Sequence, residues 1–324
     1  MTTPSDPSAA PEEREPSISP AAGMSALPSL SAGSSRRRGR LGRPLGQITP
    51  DCGSAHRAWL EPLRETYLAS GMTMSQLGSL IPLSKSKVSE LMSGRMYPRW
   101  EILYAFAVVL GLPDAPLYRL WRQAALETQN RSRTWVEGSS AGVKVATTSA
   151  SAPPMDHDAF RDLTEDGYRL YTSVFLPDER RELVITDTFD QLWLCWPRAL
   201  SSPDARRFAW KILRATVMSR TPHLDGRPEF SDAAFDTVTL QSLSDGDAIM
   251  KQLNETQALF KAMGRLPDNQ LDVMVLRRLC GMSITAVSDI LGVPLATVRS
   301  DERHATRFLD LALCPPSDNE GNPT

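Results

Sequence analysis

Two rows of hydroxyl and cationic side chains carry the chemistry this sequence offers. Towards the C-terminus, Thr297, Arg299, Ser300, Arg303 and Arg307 recur at helical spacing. Hydroxyls and guanidinium groups in such a row donate hydrogen bonds to phosphate oxygens and to base edges. Towards the N-terminus, Ser84, Lys85, Ser86, Lys87, Ser89 and Glu90 form a second row, with Thr73, Gln76 and Arg95 beside it. The chemistry implied is non-covalent recognition of a polyanion.

A side-chain row of this kind needs a rigid support, and the apolar spacing supplies one in each place. Residues 279–309, LCGMSITAVSDILGVPLATVRSDERHATRFL, read as two short helices around a turn centred on Gly292. Val287, Leu291, Val293 and Val298 fall where a helix-turn-helix clamps one helix across the other, and Ser288 is small at the close approach. Gly292 supplies the positive φ of the turn. In GMTMSQLGSLIPLSKSKVSELMSGRMYPRW the same core is marked by Leu77, Gly78, Ile81, Leu83, Val88 and Leu91. From Leu77 to Val88 is 11 positions, as from Val287 to Val298. Thr73 and Gln76 form a capping box for the first helix, Ser84 caps the second, and Gly94 closes it. Two such units point to double-stranded DNA as the partner.

Composition narrows the alternatives. The chain has 324 residues, 41% of them apolar, and a net charge of −2, so attraction to DNA must come from local patches. No apolar run is long enough to span a membrane, and the polar, Pro/Ser-rich start does not resemble a signal peptide. Cys52, Cys195, Cys280 and Cys314 form no C-x-x-C pair, and the 4 histidines are dispersed. No metal site and no cofactor are expected, and a reducing cytoplasm fits. No phosphate loop and no Ser/His/Asp constellation is present. His157, flanked by Asp156 and Asp158, reads as a helix start, and catalysis is not expected.

Along the chain the expected fold class is all-α. Residues 1–54 read as a disordered Pro/Ser-rich tail. It contains Arg36, Arg37, Arg38, Arg40 and Arg43, either a flexible arm for phosphates and a minor groove or a solvated run. Residues 55–127 read as a five-helix domain and 128–155 as a flexible linker that lets the two halves move independently. Residues 156–220 hold three helices. The last interleaves Arg206, Arg207, Lys211 and Arg214 with Phe208 and Trp210. Such a helix tracks a single strand by charge and stacking, or else buries its aromatic residues and solvates its cations. Residues 221–250 are an acidic connection with Asp225, Glu229, Asp232, Asp236, Asp245 and Asp247. Residues 251–313 form the second helix-turn-helix bundle, and 314–324 a tail.

The segment VSELMSGRMYPRWEILYAFAVVLGL, with the helix order around it, resembles the phage-repressor-like (XRE/Cro type) DNA-binding family across nearly all of 55–127. Residues 158–312 resemble a sigma factor of the extracytoplasmic-function type. RLPDNQLDVMVLRRLCGMS leading into TVRS resembles its region 4, and DTFDQLW with the aromatic-basic helix resembles region 2. The resemblance implies a region 2 that grips the clamp of core RNA polymerase and opens the minus-ten element. It implies a region 4 that reads the minus-thirty-five element and a linker that threads into the polymerase. Carried onto this chain, Asp187, Phe189, Gln191 and Trp193 lie on the clamp-binding helix. Arg206, Arg207, Phe208, Lys211 and Arg214 face the melted strand, and Thr297, Arg299, Ser300 and Arg303 face the promoter groove. Asp301 and Glu302 interrupt that last row, where they oppose phosphates or accept from cytosine N4.

The resulting expectation is a bacterial transcription regulator with a repressor-like operator-binding domain and sigma-like promoter recognition that recruits RNA polymerase. The alternative is an operator-binding regulator whose sigma-like half is degenerate and serves as an interaction module. Repressor-like domains bring the expectation of a homodimer on symmetric sites, although no coiled-coil heptad requires one.

Overall fold

The structure, a computed structural model, describes residues 45–127, 129, 131–143, 152–231, 234 and 246–313. The arginine run at 36–43, the acids at 232, 236 and 245, and Cys314 lie outside the described residues.

Caps written in the sequence set many of the helix ends. In the N-terminal domain α1 (Ser54–Ser70) is followed by α2 (Met74–Leu80), α3 (Lys85–Met92), α4 (Trp100–Leu110) and α5 (Asp114–Glu127). Thr73 and Gln76 make the reciprocal capping box at α2, and Ser84 caps α3. Trp59, Leu60, Leu63, Trp100, Phe106 and Trp121 are sealed in the domain core. At about 1.5–3 kcal/mol for each fully buried large side chain, such a cluster holds short helices that would not persist alone.

A second bundle comprises α7 (Met155–Ser173), α8 (Asp178–Leu194), the short α9 (Trp196–Ser201) and α10 (Ala205–Met218), the last capped by Asp204. The C-terminal bundle comprises α11 (Gly246–Met263), α12 (Asp268–Met274), a π-helical turn (Val275–Leu279), α13 (Ile284–Leu291) and α14 (Leu295–Leu313). Both α8 and α12 begin after a Leu-Pro pair with acid in the first turn, which suits the positive end of a helix. These two bundles share one continuous apolar core running from Tyr168 to Leu309.

Four expectations are corrected. Residues 45–53 belong to the N-terminal domain and not to the tail: Leu45 and Ile48 pack on its core, Cys52 is buried, and the Thr49 N–H donates to the Ser93 carbonyl at 2.9 Å. Within 128–155 lies α6 (Arg133–Ser140), capped by Ser132. It is held because Trp135 packs beside Trp121, and Ser139 Oγ accepts the Trp100 N–H at 2.7 Å, capping α4. The 221–250 connection holds a hairpin of β1 (His223–Leu224) and β2 (Arg227–Pro228), turned through Asp225 and Gly226 at positive φ. The halves are also not separate, because α1 and α5 pack on α8.

Candidate nucleic-acid interfaces

In the N-terminal domain, Leu77, Ile81, Val88 and Leu91 are fully buried and fix α3 across α2. That leaves Lys85, Ser86, Lys87 and Ser89 exposed along the outer side of α3, with Arg95 exposed beyond its end. Lys87 Nζ reaches Glu90 Oε2 at 2.8 Å, so this lysine exchanges an internal partner for any phosphate it meets. Ser84 and Thr73 are occupied as caps, and Gln76 Oε1 accepts the Thr73 N–H at 2.8 Å. These three serve first to hold the frame.

In the C-terminal bundle, Val287 and Val298 are fully buried and Leu291 nearly so. The Ser288 hydroxyl donates to the Val293 carbonyl at 2.6 Å and ties the turn shut. Gly292 sits at φ +61°, and a Cβ there would meet the Arg207 backbone N at 2.3 Å. It is therefore required by both the turn and the neighbouring α10. On α14, Thr297, Arg299, Arg303 and Arg307 are exposed and Ser300 is half-buried. Among the described residues these three arginines form no ion pair. With Arg278, Ala296, Thr306 and two carboxylates, Glu302 and Asp310, they line a shallow open groove. Helical spacing does not mark Arg278; its signal is the Arg277-Arg278 pair just before the turn.

The adjacent carboxylates Asp301 and Glu302 of α14 are turned to internal work. Asp301 Oδ1 accepts from Asn269 Nδ2 at 2.9 Å, and Glu302 Oε1 lies 3.4 Å from both Arg277 and Arg278. Both are half-buried. They brace α14 against α12 and the π-helical turn, with Glu302 also at the edge of the arginine groove.

Residues 58–120 match the family model of a helix-turn-helix domain, and residues 256–306 match that of sigma-70, region 4. The chain carries both domains. No curated protein and no solved structure matches the chain. The helix-turn-helix domain and the region 4 domain together make this a DNA-binding transcription regulator, and α3 and α14 are the second helices of their respective units.

Between the helix-turn-helix domain and the region 4 domain, the α7–α10 bundle places its candidates differently from their expected exposure. Phe189 is a core residue of its own bundle, stacked on Tyr168 at 5.7 Å. Asp187 and Trp193 are buried and Gln191 is half-buried, because the helix-turn-helix domain covers α8. Arg119 of α5 holds Asp190 with two bonds, Nε to Oδ2 at 2.8 Å and Nη2 to Oδ1 at 2.5 Å, and lies over the Trp193 ring. Arg220 pairs with Asp187 and lies 3.5 Å from Glu127 of α5. Burial pushes the Asp187 carboxyl up to about 6 against the pull of Arg220.

On α10, Arg206, Arg207 and Lys211 are exposed, whereas Phe208 is half-buried under the Arg198 guanidinium. Arg206 Nη1 also reaches Asp289 of α13 at 2.9 Å. Arg214 is not free for a strand. Its Nε donates to both oxygens of buried Asp272 at 3.0 Å, and its Nη2 lies 2.8 Å from Asp268. The Tyr171 hydroxyl and Trp210 Nε1 donate to the same Asp272 at 2.7 and 2.9 Å. This four-residue knot joins α7, α10 and α12. An Asp part-way along a short helix gives no sequence signal of it.

Proposed function

We propose that this transcription regulator reads an operator through α3 and a promoter element through α14, and recruits core RNA polymerase through the α7–α10 bundle as a sigma-like initiation factor. The observation that carries the reading is the pair of open cationic rows, Lys85 to Ser89 and Arg299 to Arg307, each on the second helix of a two-helix unit. Joining two DNA-reading helices in one chain makes the second contact intramolecular once the first is made, which raises its effective concentration. The exposed Arg206, Arg207 and Lys211 add a third cationic patch for the melted strand. The test is run-off transcription from a promoter beside the operator, with core polymerase and this protein as the sole added factor. A transcript that needs the protein supports the reading.

The burial of Asp187 and Trp193 favours a second reading, in which the C-terminal half is an interaction module and operator binding is the whole DNA activity. Absence of the transcript with operator binding intact decides for it.

A further inference from the structure

We infer that the helix-turn-helix domain is a built-in inhibitor of its own C-terminal half: by docking α1 and α5 on α8 it withholds that helix from polymerase until the contact opens. This rests on the reading of α8 as the polymerase-binding helix.

Three observations carry it. First, the contact is anchored along the C-terminal half of α8. Arg220 bridges Asp187 to Glu127 of α5, Arg119 grips Asp190 one turn later, and Leu194 at the helix end is buried within the core of the helix-turn-helix domain. Glu65 of α1 pairs with Arg198 just beyond. Second, the anchors are ionic and partly solvated. Arg119 is 46% exposed at its side chain and Arg198 54%, although Asp190 is only 7% exposed, so solvent reaches the cationic side of the seam and a charge reversal there can open it. Third, the docked side of the domain is not its DNA-reading side. The contact uses α1 and α5, while Lys85, Ser86 and Ser89 on α3 remain open. The closed protein can therefore hold its operator while α8 is covered. Polymerase affinity is then reduced by the fraction of molecules that are open, so a closed state populated at 90–99%, roughly the range for a two-state element, costs about ten- to hundredfold in apparent Kd.

The test compares the full-length protein with Arg119→Glu, which breaks the seam from the α5 side and leaves α8 native, and with Glu65→Arg, a milder break on α1. Three quantities are measured for each: hydrogen exchange of the 184–195 amides, Kd for core polymerase, and Kd for operator DNA. The inference expects faster exchange in that segment, polymerase binding at least about tenfold tighter, and unchanged operator affinity. The double variant Arg119→Glu/Asp190→Arg should return exchange towards the wild-type rate. Retained operator binding certifies that the domain has folded; if Arg119→Glu loses it, Glu65→Arg decides. Unchanged exchange in the folded variants overturns the inference. So does faster exchange with unaltered polymerase affinity when the wild type binds polymerase, and in that case the proposed function stands. If neither the wild type nor the opened variants bind polymerase, the functional reading fails and the inference with it.

Discussion

Asp187 and His56 titrate in opposite senses over one pH range, and the sign of each follows from burial. His56 is 1% exposed, stacked on Trp59 at 4.8 Å, and burial pulls it down from 6.5 to about 4. As pH falls through that window the unfolded chain takes up the proton first, so His56 makes the fold lose stability. Asp187 is pushed up from 3.8 to about 6, so the folded chain takes up its proton first and gains stability on acidification. The two groups therefore act on stability in opposite directions as pH falls. Asp187→Asn removes the group that gains stability on acidification. Its stability, measured by urea unfolding from about pH 6.5 to 4, should fall more steeply than that of the wild type; parallel curves would contradict the assignment. At the same scale, replacing Lys85 and Lys87 with Ala should weaken operator binding and reduce its log–log salt slope by about one for each lost phosphate contact. An unchanged slope in a fluorescence titration would place α3 outside the groove. The outward rows were legible in the sequence because helical spacing and an apolar clamp fix which side chains face out. Asp187 and Trp193 were not, since what covers them comes from a domain distant in sequence. The partners of Asp301 and Glu302 lie on other helices, and spacing alone does not reveal them.

At the level of the elements, the knot around Asp272 decides how the α7–α10 and C-terminal bundles hold together. Asp272→Ala would leave the Tyr171 hydroxyl and Trp210 Nε1 without their acceptor and Arg214 with only Asp268. Breaking a buried charged pair of this kind costs about 3–5 kcal/mol, to be read as a loss in the free energy of chemical unfolding. A loss under about 1 kcal/mol, typical of a surface pair, would show that the knot is incidental. Gly292→Ala should destabilise by more than about 1 kcal/mol, because it combines a positive φ with a backbone approach too close for a Cβ. Thermal unfolding indistinguishable from wild type would contradict that. The helices of both helix-turn-helix units were readable because caps, apolar period and closing glycines agree. The π-helical turn at Val275–Leu279 has no such signature. Short α6 was hidden by its composition: only Trp135 and Val136 are apolar, and its stability comes from α4 and α5. The Asp225-Gly226 turn signal was present but sat inside a run of acids that reads as solvated linker.

Across the whole molecule, the division into two helix-turn-helix units followed from periodicity, while their closure onto one another did not. A Ser/Ala-rich stretch between domains says nothing about whether Arg119 finds Asp190 or whether α10 shares its core with α13. Those contacts depend on surface complementarity between segments far apart in the chain. What closure leaves untouched is the outer side of α3 and of α14, and the account stands on both being free to enter duplex grooves. The most direct measurement is footprinting of the full-length protein on its selected DNA, repeated with Lys85→Ala/Lys87→Ala and with Arg299→Ala/Arg303→Ala. Two protected segments are expected, the first lost with the α3 variant and the second with the α14 variant. A single segment indifferent to Arg299 and Arg303, or protection that survives both variants, would contradict it.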